Sequence, residues 1–266
     1  MILIFDVGNT NITIALYSYE GQNLHEFRVI TKKKRTIDEL GLILNGFLSH
    51  NKISNKDIAG AIVGSVVPSV NDEILFACEK YLSIKPYCVN SKEDSQLKIP
   101  LKIKIDPNAR LGADRIANGV GVLARYKKEA LVLDFGTATV CDIIGADDDY
   151  LGGMISPGIH TSINALYKEA TLLSFYKFNE PIKMPPTSLD EALHAGIFYT
   201  TLGAVEKITT EIKKELKQYK FKVIATGGLS YFIKGHTNAV DVYDSDLTTF
   251  GLYKIYMYNF GEKNEF

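Results

Sequence analysis

Residues 3–16 read LIFDVGNTNITIAL, and residues 131–144 read LVLDFGTATVCDII. Each stretch runs from an apolar strand into Asp-x-Gly, through Thr- or Asn-rich positions, and into a second apolar strand. Both read as β-hairpins, with Gly8 and Gly136 where the chain turns and β-branched residues on either side. The second copy lies 128 residues after the first, close to half of the 266-residue chain. A recurrence of this kind points to a repeated structural unit. A fainter echo follows each hairpin. Residues 59–70, AGAIVGSVVPSV, form an apolar strand ending in Gly64-Ser65, and residues 222–230, KVIATGGLS, form a strand ending in Gly227-Gly228.

Helix signals fill the gaps. Thr36 and Glu39 have the capping-box spacing and open a helix that runs to about His50. Residues 70–81 are amphipathic. Residues 110–126 read as a long helix linking the halves, with Gly112, Ala113, Ala117, Gly119 and Gly121 allowing close backbone approach. Leu202, Val205, Ile208, Ile212 and Leu216 keep a 3.6-residue period in a helix over 202–219. Strands alternating with helices indicate an α/β protein. The half-chain boundary falls near residues 127–130, and residues 147–150 form a turn between strands.

Composition narrows the function. Lys and Arg total 30 against 31 Asp and Glu, a net charge of -1. A dedicated nucleic-acid binder would carry a basic footprint, so no nucleic-acid partner is expected. The run at residues 32–35 is short and isolated and reads as a solvated loop; the tail at 261–266 is expected to fray. Cys78, Cys88 and Cys141 show no C-x-x-C spacing and read as small core residues of a protein in a reducing compartment. The start, MILIFD, lacks the features of a signal peptide. No uncharged apolar stretch is long enough to span a bilayer. A soluble, cytoplasmic protein with no membrane partner is the expectation.

The hairpins carry chemistry suited to phosphate. A tight turn presents consecutive backbone N–H groups to phosphate oxygens, and glycine removes the Cβ that would block the approach. Asn9, Thr10, Asn11 and Thr13 add side-chain donors, as do Thr137 and Thr139. Asp6 and Asp134 would be repelled by phosphate unless a cation stood between, and Mg²⁺ held by carboxylate and phosphate oxygens is the usual solution. Candidate ATP-binding positions are therefore Asp6, Val7, Gly8, Asn9, Thr10, Asn11, Ile12, Thr13 and Thr137.

The paired hairpins resemble those of the actin, sugar-kinase and acetate-kinase superfamily. That resemblance implies two ribonuclease-H-like (actin-like ATPase) lobes related by internal duplication. Residues 1–127 would hold the first phosphate loop and the substrate motif. Residues 128–266 would hold the second phosphate loop and an adenosine loop at Gly227 and Gly228. Within the superfamily, four ordered motifs resemble type III pantothenate kinases. They are DVGNTN, Gly112-Ala113-Asp114-Arg115, DFGTATV, and Gly152-Gly153-x-Ile155-x-Pro157-Gly158. The family phosphorylates the primary hydroxyl of pantothenate to 4'-phosphopantothenate, the first step toward coenzyme A. By that resemblance Asp114 is the general base, and Gly112, Ala113, Asp114 and Arg115 grip pantothenate. Asp6 stands on the Mg²⁺ side through water, and Asp134 helps hold a monovalent cation, K⁺ or NH₄⁺. Gly152, Gly153, Pro157 and Gly158 shape the pocket wall.

The family also implies a homodimer, with the small-residue helix after Arg115 and a helix over 192–203 as candidate contributors. Family members often carry a substrate-contacting Tyr upstream of the Gly-Ala-Asp-Arg motif, where residues 103–107 here read IKIDP. They also carry an Asn-Thr pair whose Thr reaches pantothenate from the partner subunit; here the stretch is PPTSL at 185–189, with Thr187 as the candidate. Two alternatives are a kinase for another small alcohol and a non-catalytic transcriptional accessory factor of the same family.

Overall fold

The computed structural model describes residues 1–31, 35–89, 97–106, 108–169 and 184–261. Residues 32–34 of the basic run, Pro107 of the IKIDP stretch and the tail 262–266 lie outside the described residues. The chain divides into two compact units, Met1–Lys127 with Leu247–Phe266, and Lys128–Asp246.

The first unit is built on β1 (Ile2–Val7), β2 (Asn11–Tyr17), β3 (Asn23–Ile30), β4 (Gly60–Ser65) and β5 (Tyr87–Val89), in the sheet order β3-β2-β1-β4-β5. The β1/β2 and β2/β3 pairs are antiparallel, and β1/β4 and β4/β5 are parallel. Side chains alternate across a strand, and β1 buries both sets. Leu3, Phe5 and Val7 pack under α1 (Ile37–His50) and α2 (Asn71–Leu82) through Leu44, Phe47, Ile74 and Ala77. Thr36 caps α1 with the expected capping box, its side chain accepting from the Glu39 N–H at 3.1 Å. Such a cap contributes about 1 kcal/mol.

A short strand β6 (Lys102–Ile103) precedes α3 (Ala113–Tyr126). The opposite face of the first sheet is covered by a helix that the sequence reading did not foresee, at Leu247–Phe260. Numbered α6, it packs across β1 and β4. Tyr17 stacks on Tyr253 with ring centroids 5.1 Å apart, and its hydroxyl shares a 3.0 Å hydrogen bond with Thr249. A Cβ at Gly64 would come within 2.6 Å of Leu252. The expectation that residues 128–266 form one lobe is corrected here, because this terminal segment lies with the first unit. The reason is backbone proximity. A Cβ on Gly251 would collide with the Ala117 carbonyl oxygen of α3, and one on Gly121 would lie 2.8 Å from Leu247 O. Ala117 and Gly121 of α3 are thus packed against α6 inside the chain.

The second unit repeats the scheme. Its strands are β7 (Ala130–Phe135), β8 (Ala138–Ile144), β9 (Asp149–Pro157), β10 (Lys222–Thr226) and β11 (Val242–Tyr243), and they run β9-β8-β7-β10-β11. Strand for strand, this is the order of the first unit. Leu131, Leu133, Phe135, Val223 and Ala225 pack against Val205 and Ile212 of a 27-residue helix, Leu189–Glu215. With α4 (Ile159–Glu169) counted before it, this helix is α5. The segments expected over 192–203 and 202–219 are one continuous helix. Ser188 starts it much earlier by a capping box with Glu191.

The two hairpins are not an ungapped repeat. Asp6 pairs with Thr13, but Asp134 pairs with Val140. The aspartates are 128 residues apart and their partners 127, so the second turn is one residue shorter. Cys141 therefore faces Leu133, and the residue equivalent to Thr13 is Val140. All three cysteines are free thiols, with Cys78 and Cys141 buried. Among the described residues, no helix is long and apolar enough to cross a membrane.

Gly251 and Gly46 form a paired test of this packing. Gly251→Ala should lower stability by roughly 1–3 kcal/mol, as overpacking does. Gly46→Ala, in an exposed helical position with nothing within 4 Å of the added methyl, should raise it by about 0.5–1 kcal/mol. Urea unfolding of both variants checks the pair.

Candidate active site

In the first unit, β1 and β4 end side by side, with Asp6 level with Gly64 and Val7 level with Ser65. The turn after β1 is closed by the Gly8 N–H donating to Asn11 O at 3.0 Å. Thr31, at the end of β3, clamps it from outside. Its hydroxyl donates to Gly8 O at 2.7 Å and its N–H to Thr10 O at 2.9 Å. Asn9, Thr10 and Asn11 are exposed, while Asp6, Gly8 and Thr13 are partly so. Val7 and Ile12 are core residues, so only their backbone groups are available to a ligand. Thr31 was absent from the sequence reading, because nothing local marks it; only the β2/β3 pairing brings it to the turn.

Gly112 is the N-cap of α3, with extended backbone (φ -62°, ψ 148°) and no side-chain cap. Asp114 supplies one instead, its Oδ1 accepting from the Arg115 N–H at 2.8 Å. A Cβ on Gly112 would collide with Asp114 Oδ1 and meet Val66 Cγ1 at 3.4 Å. Val66 in turn donates its N–H to Val7 O at 3.0 Å. Val66 therefore joins the start of α3 to the end of β1, so two motifs a hundred residues apart in sequence come together in one unit. Asp114 is only partly exposed. Desolvation raises its pKa above the ordinary carboxylate value, and hydrogen bonds from backbone N–H groups together with the Arg115 charge offset this in part. Burial acting on the charged form is the dominant cause.

In the second unit, β7 and β10 are the parallel pair, with Asp134 level with Thr226. The Gly136 N–H donates to Ala138 O at 3.0 Å, leaving Gly136 and Thr137 exposed. Two further segments close on this turn. The Gly158 N–H donates to Thr137 O at 3.2 Å, and the Thr161 hydroxyl donates to the same oxygen. A Cβ on Gly158 would lie 2.5 Å from both Gly136 O and Thr137 O. Gly227, at φ +86°, presses on the carboxylate itself: its Cβ would be 2.5 Å from Asp134 Oδ1 and 2.7 Å from Phe135 N. Gly228 beside it is exposed.

The structure also places the glycine pair and Thr187. Gly152 and Gly153 pair with Ile143 and Asp142, whereas Pro157 pairs with Ala138 at the turn. Gly152 and Pro157 are five residues apart along β9, about 16 Å. Pro157 and Gly158 adjoin the turn at Gly136 and Thr137. Gly152, at φ +138°, instead serves the register shift between Ile143 and Ile144. Thr187 sits in the α5 cap, where its N–H and hydroxyl donate to Glu191 Oε2 at 2.7 and 3.0 Å.

What can this arrangement hold? Among the described residues, no group of three or more His, Cys, Asp or Glu could bind a metal ion. The donor set is a single carboxylate at each strand end beside a turn with exposed polar groups. That suits cations carried in by phosphate, since Mg²⁺ keeps waters and takes one or two carboxylates together with substrate oxygens. Asp6 and Asp134, each a single carboxylate beside a turn, fit such a role.

A family model described as type III pantothenate kinase matches residues 2–211. Solved structures share the fold at low identity. A Campylobacter jejuni protein assigned to the Baf family of transcriptional activators is 21% identical, covering 95% of this chain and 96% of that one, with a TM-score of 0.56. A Sinorhizobium meliloti protein assigned as a 2-dehydro-3-deoxygalactonokinase is 12% identical over 100% of both chains, with a TM-score of 0.59. The activator of 2-hydroxyisocaproyl-CoA dehydratase from Clostridium difficile, solved with ADPNP, is 9% identical, covering 96% and 93%, with a TM-score of 0.55. Together with the duplicated strand order, these likenesses show an α/β fold of two similarly built units.

Gly227→Ala tests the second turn. An L-residue at this φ, with Cβ against Asp134 and Phe135, should lower stability by roughly 1–3 kcal/mol and weaken MgATP binding. Thermal unfolding and calorimetric titration read the two effects separately.

Proposed function

Because the chain belongs to the type III pantothenate kinase family, we propose that it transfers the γ-phosphate of ATP to the primary hydroxyl of pantothenate. The observation that carries this reading is the start of α3. It presents a desolvated carboxylate, Asp114, linked through Val66 to the turn that follows Asp6.

In this reading the hydroxyl oxygen bonds to the γ-phosphorus as the bond to the ADP oxygen breaks, and the hydroxyl proton passes to Asp114. A raised pKa makes Asp114 a stronger base than an ordinary carboxylate. The turns Asp6–Thr13 and Asp134–Val140 supply N–H and hydroxyl donors to phosphate oxygens, with Thr137 among them. Phosphoryl transfer leaves a protein little covalent work, so positioning and charge neutralisation do most of it. Asp6 would hold Mg²⁺ through water and Asp134 a monovalent cation; when bound, these ions neutralise phosphate charge. Arg115 would meet the pantothenate carboxylate as a fork, with the Gly112–Ala113 backbone as further donors. Thr187 would meet substrate with a hydroxyl that donates to Glu191 Oε2 and can still accept. The working form in this reading is a cytoplasmic homodimer.

A regulatory reading takes its support from the Baf family name of the Campylobacter jejuni neighbour. It leaves Asp6, Asp114 and Asp134 without chemical work. A kinase for another alcohol takes its support from IKIDP at 103–107, which lacks the expected Tyr.

ADP release measured with ATP, Mg²⁺ and K⁺, with and without pantothenate, tests these readings together. The expected result is pantothenate-dependent release that falls by roughly 10²–10⁴ in Asp114→Asn. Asp114 works ionised, so the rate should fall as pH drops through its folded-state pKa. That acid limb should be shifted upward from the ordinary carboxylate value, because burial raises the pKa, and the Asn variant should lack it. Release indifferent to pantothenate overturns the substrate, and no release with any cation overturns the kinase.

A further inference from the structure

The first sheet ends at β3, which among the described residues pairs with β2 alone. Its side chains alternate. Asn23, His25, Phe27 and Val29 are half-buried, and Leu24, Glu26, Arg28 and Ile30 are exposed. Phe27 is held under α1 by Phe47, with ring centroids 4.3 Å apart. The Thr31 N–H points inward, to Thr10 O. In an antiparallel ladder successive residues direct their N–H and C=O to opposite sides. Glu26, Arg28 and Ile30 therefore direct theirs outward. The pairing with β2 slips by one residue at Leu24, so the regular edge starts at His25. Ile30 O accepts from the Arg35 guanidinium at 2.9 Å and keeps a second lone pair. A row of outward N–H and C=O groups is a template for another strand.

The charges on this edge select the strand that fits it. When two identical strands pair antiparallel, the residue on the symmetry axis fixes the register. An axis at Glu26 or Arg28 sets like charges directly opposite, which is destabilising. An axis at His25 or Val29 sets a charge against Leu24 or Ile30. An axis at Phe27 sets Glu26 opposite Arg28 at two equivalent places, with Leu24 and Ile30 facing each other beyond them. Within one chain Arg28 donates to Glu26 at 3.1 Å, so the pair would hold four charges alternating in sign. Charged residues on an edge ordinarily discourage association; here they reject the other registers and favour this one. We propose that β3 pairs antiparallel with β3 of a second copy of the chain about Phe27, joining two five-stranded sheets into one. The inference stands apart from the kinase reading. The edge is also separate from α3 and α5, the helices considered for the homodimer, so the contact is an additional one. A single strand pair is smaller than the roughly 800 Å² per partner of a standard interface, so the association should be weak and rise with concentration.

Sedimentation velocity of the full chain from about 1 μM to about 1 mM, the range of weak association, tests the pairing. The parent should gain mass as concentration rises. Glu26→Arg and Arg28→Glu each set like charges opposite at both contacts and should weaken the association roughly tenfold. The double variant Glu26→Arg/Arg28→Glu restores opposite charges and should return to within about twofold of the parent. An equimolar mixture of the two single variants should associate as the parent does, since each supplies the charges the other needs. Hydrogen exchange at the Glu26 and Arg28 amides should slow as the parent associates. A parent that gains no mass at any concentration overturns the inference. Single variants that associate as the parent does overturn it, because the contact then lies on another face. A double variant as weak as the single ones overturns the register. Edge amides equally protected at every concentration also overturn it, since a segment of the same chain would then cover the strand.

Discussion

Between β7 and β10, the carboxylate of Asp134 and the backbone of Phe135 leave no room for a side chain at position 227. A strand end, a charged group and a glycine turn occupy the same few ångströms, and the rest of the second unit is arranged around that fact. The parallel pairing sets Asp134 level with Thr226, so the chain must turn at once, and it does so at φ +86°. The same turn donates to Phe135 O through Leu229, then buries Phe232 against Ile159 and Ile163. Ile159 begins α4, immediately after Gly158 closes on the turn at Gly136 and Thr137. A crowded strand end thus organises three segments distant in sequence.

The first unit meets the same topological problem with different chemistry. Asp6 is level with Gly64 rather than with a threonine, and Leu252 of α6 lies over Gly64. Here the neighbour that approaches the strand end is Val66, which links Val7 to the start of α3. Duplication therefore supplied two similar strand ends, and their surroundings diverged. One is bordered by a desolvated carboxylate suited to a base, the other by glycine turns.

Desolvation connects this packing to chemistry. Asp114 would be an ordinary N-terminal helix acid if it stood in water, where the helix dipole and the Arg115 charge would lower its pKa. Partial burial reverses the balance, and the group is left more basic than its type. Shifts of this kind concentrate where function needs them. The identity of the residue is not enough to produce one; the surrounding packing has to exclude water.

The strands, the hairpin turns, the capped start of α1 and the half-chain repeat were legible in the sequence, because periodicity, glycine and capping residues act over a few residues. The motif residues were legible for the same reason, being contiguous. The helix α6 was not: it is apolar around much of its circumference, so no stripe marks it, and its place on the first unit depends on Gly251 meeting Ala117 far away in sequence. Nor was the one-residue slip between the hairpins, which only strand pairing reveals. Nor was the separation of Gly152 and Gly153 from Pro157 and Gly158, since a motif gives order along the chain and not distance along a strand. Local sequence determined which residues form the two turns and the start of α3. Tertiary structure decided which of them share a strand end, which carboxylate loses its water, and which strand is left at a sheet edge, because these depend on contacts between segments that no local pattern encodes.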